Sequence, residues 1–284
     1  MDVQARVRGY VELTRPMNAV AAGVLTFIGA FVAGASTENV WMVAAAMAAT
    51  AMATGAGNAI NDYFDREIDR INQPQRPIPR GAVSERGALW FSLVLFAVAT
   101  AFAVTLPPLA IGIAAFNLLA LIAYTELFKG LPGLGNALVA YLGGSAFLFG
   151  GAAVGDVGAS AVLFVLAALS TLTREIIKDV EDIDGDREEG LNTLPIAIGE
   201  RPALHVATVL LLVAVAASPI PYLRGTFGVL YLLVVGPAVL VMLFAVVRSY
   251  RRPRIGQQYL KYGMFLAAVA FIIGRIGVVL PSVL

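Results

Sequence analysis

The sequence predicts an all-α membrane protein, and three observations carry that reading. Of its 284 residues, 59% are hydrophobic. Only 14% are charged, against roughly 25% in an average soluble domain. Nine stretches each approach the length of about 20 apolar residues that a spanning helix needs. These features exclude a soluble globular enzyme and a disordered chain. They predict nine transmembrane helices in a single domain over residues 1–284.

In chain order the predicted spans are Met17–Ala35, Val40–Ile60, Leu89–Thr105, Leu109–Leu127, Asn136–Ala153, Ala159–Arg174, Leu204–Pro219, Phe227–Val247 and Leu260–Leu280. Small residues recur inside them, as in "MVAAAMAATAMATGAG" (Met42–Gly57). Such faces let helix backbones approach closely in lipid. The first stretch is read as a span and not as a signal peptide. The segment before it is long and carries Glu12, and cleavage would spoil the charge asymmetry of the chain.

That asymmetry is pronounced. With nine spans the termini lie on opposite sides, and 18 of the 20 Lys and Arg residues fall on the side of the N-terminus. Arg224 sits in an outer loop and Arg275 lies within the last span. The positive-inside rule therefore predicts a cytoplasmic N-terminus in a multi-pass protein of the cell membrane. The outer loops are minimal, whereas two inner ones, about Asn61–Ala88 and Glu175–Ala203, are long and polar. Long loops on one face of a bundle are where function is expected.

The chain has no Cys and a single His, His205. That excludes disulfides, thiolate-bound metals, a thiol nucleophile and multi-His metal sites. Carboxylates remain. The first long loop reads "NAINDYFDREIDRINQPQRPIPRG", with Asn61, Asp65 and Asp69 spaced four apart and Asp62 beside them. On a helix that spacing keeps the three on one face. In the second loop, "REIIKDVEDIDGDREEGLNTLP", Asp182 and Asp186 are again four apart, and Glu175 and Asp179 continue the face backwards. Each constellation begins where a span reaches the inner rim, which suggests a weak pseudo-repeat.

Like charges on one helix face repel unless a cation neutralises them. Oxygen ligands without His or Cys select hard cations, Mg²⁺ foremost, which binds through one or two carboxylates and substrate phosphates. Two such faces across a cavity suit a diphosphate held through two ions. Interleaved basic residues (Arg66, Arg70, Arg76 and Arg80 in one loop, Arg174, Lys178 and Arg187 in the other) suit phosphate oxygens. The bland readings are solvated charge runs, Asn61 as a helix cap, and "QRPIPRG" as loop punctuation. His205 reads as interfacial packing. Tyr124 and Tyr141 are either packing or ring faces lining a cation pocket, and Arg275 is either functional or a snorkelling residue.

The two motifs resemble the aspartate-rich pair of the UbiA superfamily of intramembrane prenyltransferases. The first follows that family's N-x3-D-x3-D pattern through Asn61, Asp65 and Asp69, and the second its D-x3-D pattern through Asp182 and Asp186. "LTRPMN" (Leu13–Asn18) is similar to the family's opening motif, and "YTELFKGLPGLGN" to its third inner loop. The resemblance implies nine helices around a central cavity whose active site faces the cytoplasm. It implies catalysis with Asn61, Asp62, Asp65, Asp69, Asp182 and Asp186, of which all but Asp62 hold Mg²⁺. Substrate contacts are implied for Asn18, Arg66, Lys129 and Lys178, with Arg15, Arg76 or Arg80 for an acceptor phosphate and Glu175, Asp179 or the departing diphosphate as base. Lys178 and Asp179 stand where aromatic-acceptor members tend to carry Tyr-Ala. The wording is closest to the branch that builds archaeal ether lipids. That branch implies geranylgeranyl diphosphate as donor, entering sideways from lipid, and geranylgeranylglyceryl phosphate as acceptor. No stretch points to nucleic acid or an obligate protein partner. The rivals are an aromatic acceptor, a CDP-alcohol phosphotransferase (whose Ala-Arg pair "DIDGDREEG" lacks) and a cation transporter, whose acids belong near the midplane.

Overall fold

The computed structural model describes residues 3–128 and 130–279, without the side chains of residues 125 and 126. Among these the chain is helical. The helices are α1 (Val3–Leu13), α2 (Pro16–Val32), α3 (Val40–Phe64), α4 (Arg66–Asn72), α5 (Glu85–Ala103), α6 (Pro108–Ala123) and α7 (Leu134–Ala153). They continue with α8 (Gly158–Glu181), α9 (Ile183–Glu188), α10 (Leu194–Ile198), α11 (Glu200–Ala217), α12 (Ile220–Leu223), α13 (Val229–Ser249) and α14 (Pro253–Val279). A 3-10 turn, Thr37–Asn39, leads into α3, and one π turn, Tyr124–Phe128, follows α6.

Each predicted span falls on a helix: α2, α3, α5, α6, α7, α8, α11, α13 and α14 in turn. Seven helical stretches are long and apolar enough to cross a bilayer, or eight if α1 and α2, bent by 44°, are one span. Helix α6 is apolar but shorter, at 16 residues. The predicted boundaries were too tight at the acidic rims. α3 runs on to Phe64 and α8 to Glu181, so the first residues of both long loops are helix. Helical hydrogen bonding propagates past the apolar stretch once a turn exists. Leu280, the last residue of the ninth predicted span, lies outside the described residues.

Helices approach closely where side chains vanish. A Cβ on Gly150 of α7 would overlap the Thr26 carbonyl oxygen of α2, and one on Gly29 would overlap the Phe147 carbonyl. Around that seam pack Ile28, Phe147, Leu163, Phe227 and Phe271. A smaller core of Leu13, Ala59, Ile78, Val83 and Ala88 pins the chain between α4 and α5 against α1 and α3. "QRPIPRG" is therefore anchored by Ile78 and is more than punctuation. Tyr141 packs edge-on between Phe116 and Phe164, and His205 lies against Tyr250. Arg275 reaches the Thr226 carbonyl at 3.5 Å in the turn before α13.

Candidate active site

The two acidic motifs share one backbone device. Helix α3 ends at Phe64, Asp65 takes φ −81°, ψ 1°, and α4 starts at Arg66. Across this break the Asp65 N–H still donates to the Asn61 carbonyl and the Asp69 N–H to the Asp65 carbonyl, both at 2.8 Å. The second motif repeats it. Asp182, at φ −94°, ψ 6°, separates α8 from α9. Its N–H donates to the Lys178 carbonyl at 2.9 Å, and that of Asp186 to the Asp182 carbonyl at 3.0 Å. In each motif the i, i+4 register survives a helix break centred on an aspartate. The pseudo-repeat seen in the spacing is thus a repeat of local structure.

Within the first motif the carboxylates divide. Asp62 and Asp69 are 3% and 4% exposed. Arg15 donates to Asp62 at 2.6 Å, while Arg76 donates to Asp69 at 2.6 Å and to Asp62 at 3.4 Å. A buried carboxylate is tolerated only when paired in this way. Arg15 has a left-handed backbone, φ 46°, at the bend between α1 and α2. That conformation is strained for a non-glycine residue, and it delivers the guanidinium to Asp62. Asn61 and Asp65 are half-buried.

In the second motif Asp182 is exposed and Asp186 half-buried. Burial, reinforced by the charges of Asp182 and Glu189, holds the Asp186 carboxyl above its ordinary range. Glu181, Asp182, Asp184, Asp186 and Glu189 line one open hollow. Lys178 stands 4.0 Å from Asp182. One turn back, Asn136 of α7 donates to Asp179 at 2.8 Å, and Arg174 pairs with Glu175.

Tyr124, at the end of α6, senses carboxylates of both motifs. Its hydroxyl lies within electrostatic reach of Asp65 from the first motif and of Glu175, Asp179 and Asp186 from the second. The third inner loop is tied to the segment after α9, where the Asn192 N–H donates to the Gly130 carbonyl at 3.1 Å.

Other predicted residues stand apart. Arg80 bonds Glu12 and the Gln75 carbonyl and neither acidic motif. Arg66 pairs with Glu85 at 3.3 Å and lies over the Tyr63 ring. Asn18 is exposed in the first turn of α2. Lys129 lies outside the described residues. Sequence reasoning missed Asn136, whose only signal was an amide opening an apolar span after a glycine turn. It also missed Gln257 of α14, which donates to Glu181 at 3.1 Å.

Among the described residues no three Asp, Glu or His side chains form a ready-made metal cage. The donor set nonetheless fits Mg²⁺, which keeps waters and takes one or two carboxylates plus substrate phosphates. Asp182 and Asp186 supply such oxygens around an open, acidic space, and Asp65 lies with Asp186 within electrostatic reach of Tyr124.

The UbiA prenyltransferase family model matches residues 22–269. The digeranylgeranylglyceryl phosphate synthase of Natronomonas pharaonis is 66% identical over 275 residues, covering 96% of this chain and 99% of that protein. That of Haloquadratum walsbyi is 61% identical over 284 residues, covering 98% and 99%. A solved digeranylgeranylglyceryl phosphate synthase superposes with a TM-score of 0.81 at 34% identity, covering 95% of this chain and 99% of that one. A UbiA homologue from Archaeoglobus fulgidus bound to GPP and Mg²⁺ shares the fold, with a TM-score of 0.70 at 18% identity, covering 95% and 99%.

Proposed function

The chain belongs to the UbiA prenyltransferase family, and from that premise we propose its reaction: a geranylgeranyl group passes from geranylgeranyl diphosphate to the free hydroxyl of geranylgeranylglyceryl phosphate. This forms the second ether bond of an archaeal lipid core. What supports the reading is that Tyr124 senses the charge of Asp65 from the first motif and of Glu175, Asp179 and Asp186 from the second, motifs more than a hundred residues apart. The activity is also the one named for relatives at 66% and 61% identity.

In this reading Asn61, Asp65 and Asp69 would hold one Mg²⁺, and Asp182 and Asp186 another. Bound there, the ions would neutralise the diphosphate and so make it a leaving group. Asp69 would have to release Arg76 to join them, and that arginine then has a phosphate to turn to. Arg66 and Lys178 contribute cationic donors at the rims of the two motifs. The allylic C–O bond breaks with its electron pair on the diphosphate oxygen. The acceptor hydroxyl oxygen then bonds to the allylic carbon and loses its proton. In this reading Asp179, bonded to Asn136, or Glu175 or the departing diphosphate would receive it. The surrounding apolar helices exclude water, which protects the allylic cation from hydrolysis. Nine crossings, a cytoplasmic N-terminus and a site open to the cytoplasm complete the proposal.

Product analysis tests it. Purified protein with Mg²⁺ and labelled geranylgeranyl diphosphate is offered geranylgeranylglyceryl phosphate and a panel of aromatic acceptors. The glyceryl phosphate lipid is expected to be prenylated, with diphosphate release falling at least roughly a hundredfold in Asp65→Ala and Asp182→Ala. Prenylation of an aromatic acceptor alone overturns the assignment.

A further inference from the structure

Helix α8 ends at Glu181, and the residues just after it have little to hold them. Helix α9 has six residues and buries one side chain, Ile183. A helix that short does not sustain itself. Beside it Glu181, Asp182, Asp184, Asp186 and Glu189 line one hollow, and their like charges repel. Glu181 adds a second penalty, because its carboxylate stands at the C-terminal, negative end of a long helix. Both terms push this corner of the molecule apart.

Helix α14 opposes them. The half-buried Gln257 donates from Nε2 to Glu181 Oε2 at 3.1 Å, across 76 residues of sequence. The base of this contact is fixed. Leu260, on the next turn of α14, is fully buried in one core with Ile177 and Val180 of α8, Leu204 of α11 and Val246 of α13. Arg254, a turn earlier, approaches the same carboxylate, with Nε 4.0 Å from Oε1. Its side chain is 79% exposed, and an exposed ion pair at that separation contributes little. The amide is therefore the contact that holds. Asp182 follows Glu181 directly, about 3.8 Å away along the backbone, so the point where Glu181 is tied decides how the chain leaves α8. That in turn sets the place of Asp182 at the break and of Asp186 one turn on, whose N–H donates to the Asp182 carbonyl at 3.0 Å.

We infer that Gln257 is a positioning residue for the second acidic motif: its bond to Glu181 braces the helix break and holds Asp182 and Asp186 in place. The inference rests on the proposed reaction only for the metal that these two carboxylates would bind. Placement matters for Mg²⁺, which demands near-ideal octahedral geometry. A neutral amide also suits the task, because it donates to Glu181 without bringing a cation that would compete for the neighbouring carboxylates.

Two measurements on the intact chain in detergent test the brace apart from turnover. The chain has no Cys, so a nitroxide on Glu188→Cys, exposed at the end of α9 and outside the hollow, reports the motion of the motif. Gln257→Leu removes the donor at similar bulk and is expected to loosen the label, whereas Arg254→Ala should not. Exchanging the partners, Glu181→Gln with Gln257→Glu, rebuilds an amide–carboxylate bond in reverse and should restore the order. Unlabelled protein is then titrated with Mn²⁺, a probe that carboxylates also bind, and followed by loss of the free-ion signal. Affinity is expected to fall roughly tenfold in Gln257→Leu and to recover in the exchange. A label as ordered in Gln257→Leu as in wild type, a label the exchange does not restore, or equal loosening by Arg254→Ala overturns the inference. So does an unchanged Mn²⁺ affinity in Gln257→Leu. If wild type bound no Mn²⁺ and Gln257→Leu still loosened the label, the metal site of the proposed reaction would fail and the brace would stand.

Discussion

Arg76 holds the first motif together before any substrate arrives. Its guanidinium contacts both Asp69 and Asp62, and the two carboxylates are almost wholly buried. Removing one partner of a buried pair leaves an uncompensated charge, at a cost of about 3 kcal/mol. Arg76→Ala is therefore expected to lower the unfolding midpoint in detergent by several degrees, whereas Arg86→Ala, at an exposed position, should not. Arg76→Lys should recover part of the loss, because a single ammonium reaches one carboxylate well and not two. Asp186 gives a prediction of opposite sign. Its carboxyl is raised by burial and by the neighbouring Asp182 and Glu189 charges. The folded state then binds more protons than the unfolded one. This contribution to stability is full on the acid side and is lost as pH rises through the raised value. In metal-free protein, Asp186→Asn should raise the neutral-pH midpoint and flatten its fall between acid and neutral pH. A divalent cation binds the ionised form, so added Mg²⁺ should stabilise wild type more than the variant. Thermal scans across pH, with and without Mg²⁺, read both effects.

Between elements, the tightest constraint is the seam of α2 and α7. Gly29 and Gly150 face carbonyl oxygens of the opposite helix, and no rotamer relieves a Cβ that meets backbone. Gly150→Val is expected to destabilise by about 3 kcal/mol or more and to reduce the yield of monodisperse protein. Gly112→Ala on α6, where a Cβ meets nothing within 4 Å, should be tolerated. A size-exclusion profile and a melting curve separate the two. The helices themselves were legible because lipid demands long apolar runs, and that demand is written in composition. The i, i+4 spacing of Asn61, Asp65 and Asp69 was legible for the same reason, since register is a property of the chain alone. The helix breaks at Asp65 and Asp182 were not. They depend on packing with the rest of the chain, because weak helix formers such as Asn61, Asp62 and Gly185 leave the local sequence compatible with either a break or a continuous helix. Nor were the partners of Asp62, Asp69 and Asp179 readable. Arg15, Arg76 and Asn136 lie 47, 7 and 43 residues away, and only tertiary packing chooses among many interleaved cations.

At the scale of the molecule, one organising force is the sidedness of charge. Arg248, Arg251, Arg252 and Arg254 crowd the turn between α13 and α14, and the long acidic–basic loops lie at the same end as that turn if the spans alternate. Translocating such clusters across a membrane is costly, so basic loops stay in the cytoplasm. The opposite end carries only short turns, with Arg224 as its one loop cation. On the proposed reaction the sidedness has a functional consequence, because a water-soluble divalent cation and a released diphosphate would both exchange with the cytoplasm. The absence of Cys gives a clean background for testing it. Leu223, 76% exposed at the end of α12, and Glu188, exposed at the end of α9, mark opposite ends of the bundle. A membrane-impermeant maleimide is expected to label Leu223→Cys in intact cells and Glu188→Cys only after the membrane is opened. Labelling in the reverse order would invert the protein and put the two acidic motifs outside. Labelling of both in intact cells would mean an even number of crossings between the two positions, which removes α11 as a span and with it the nine-helix ring.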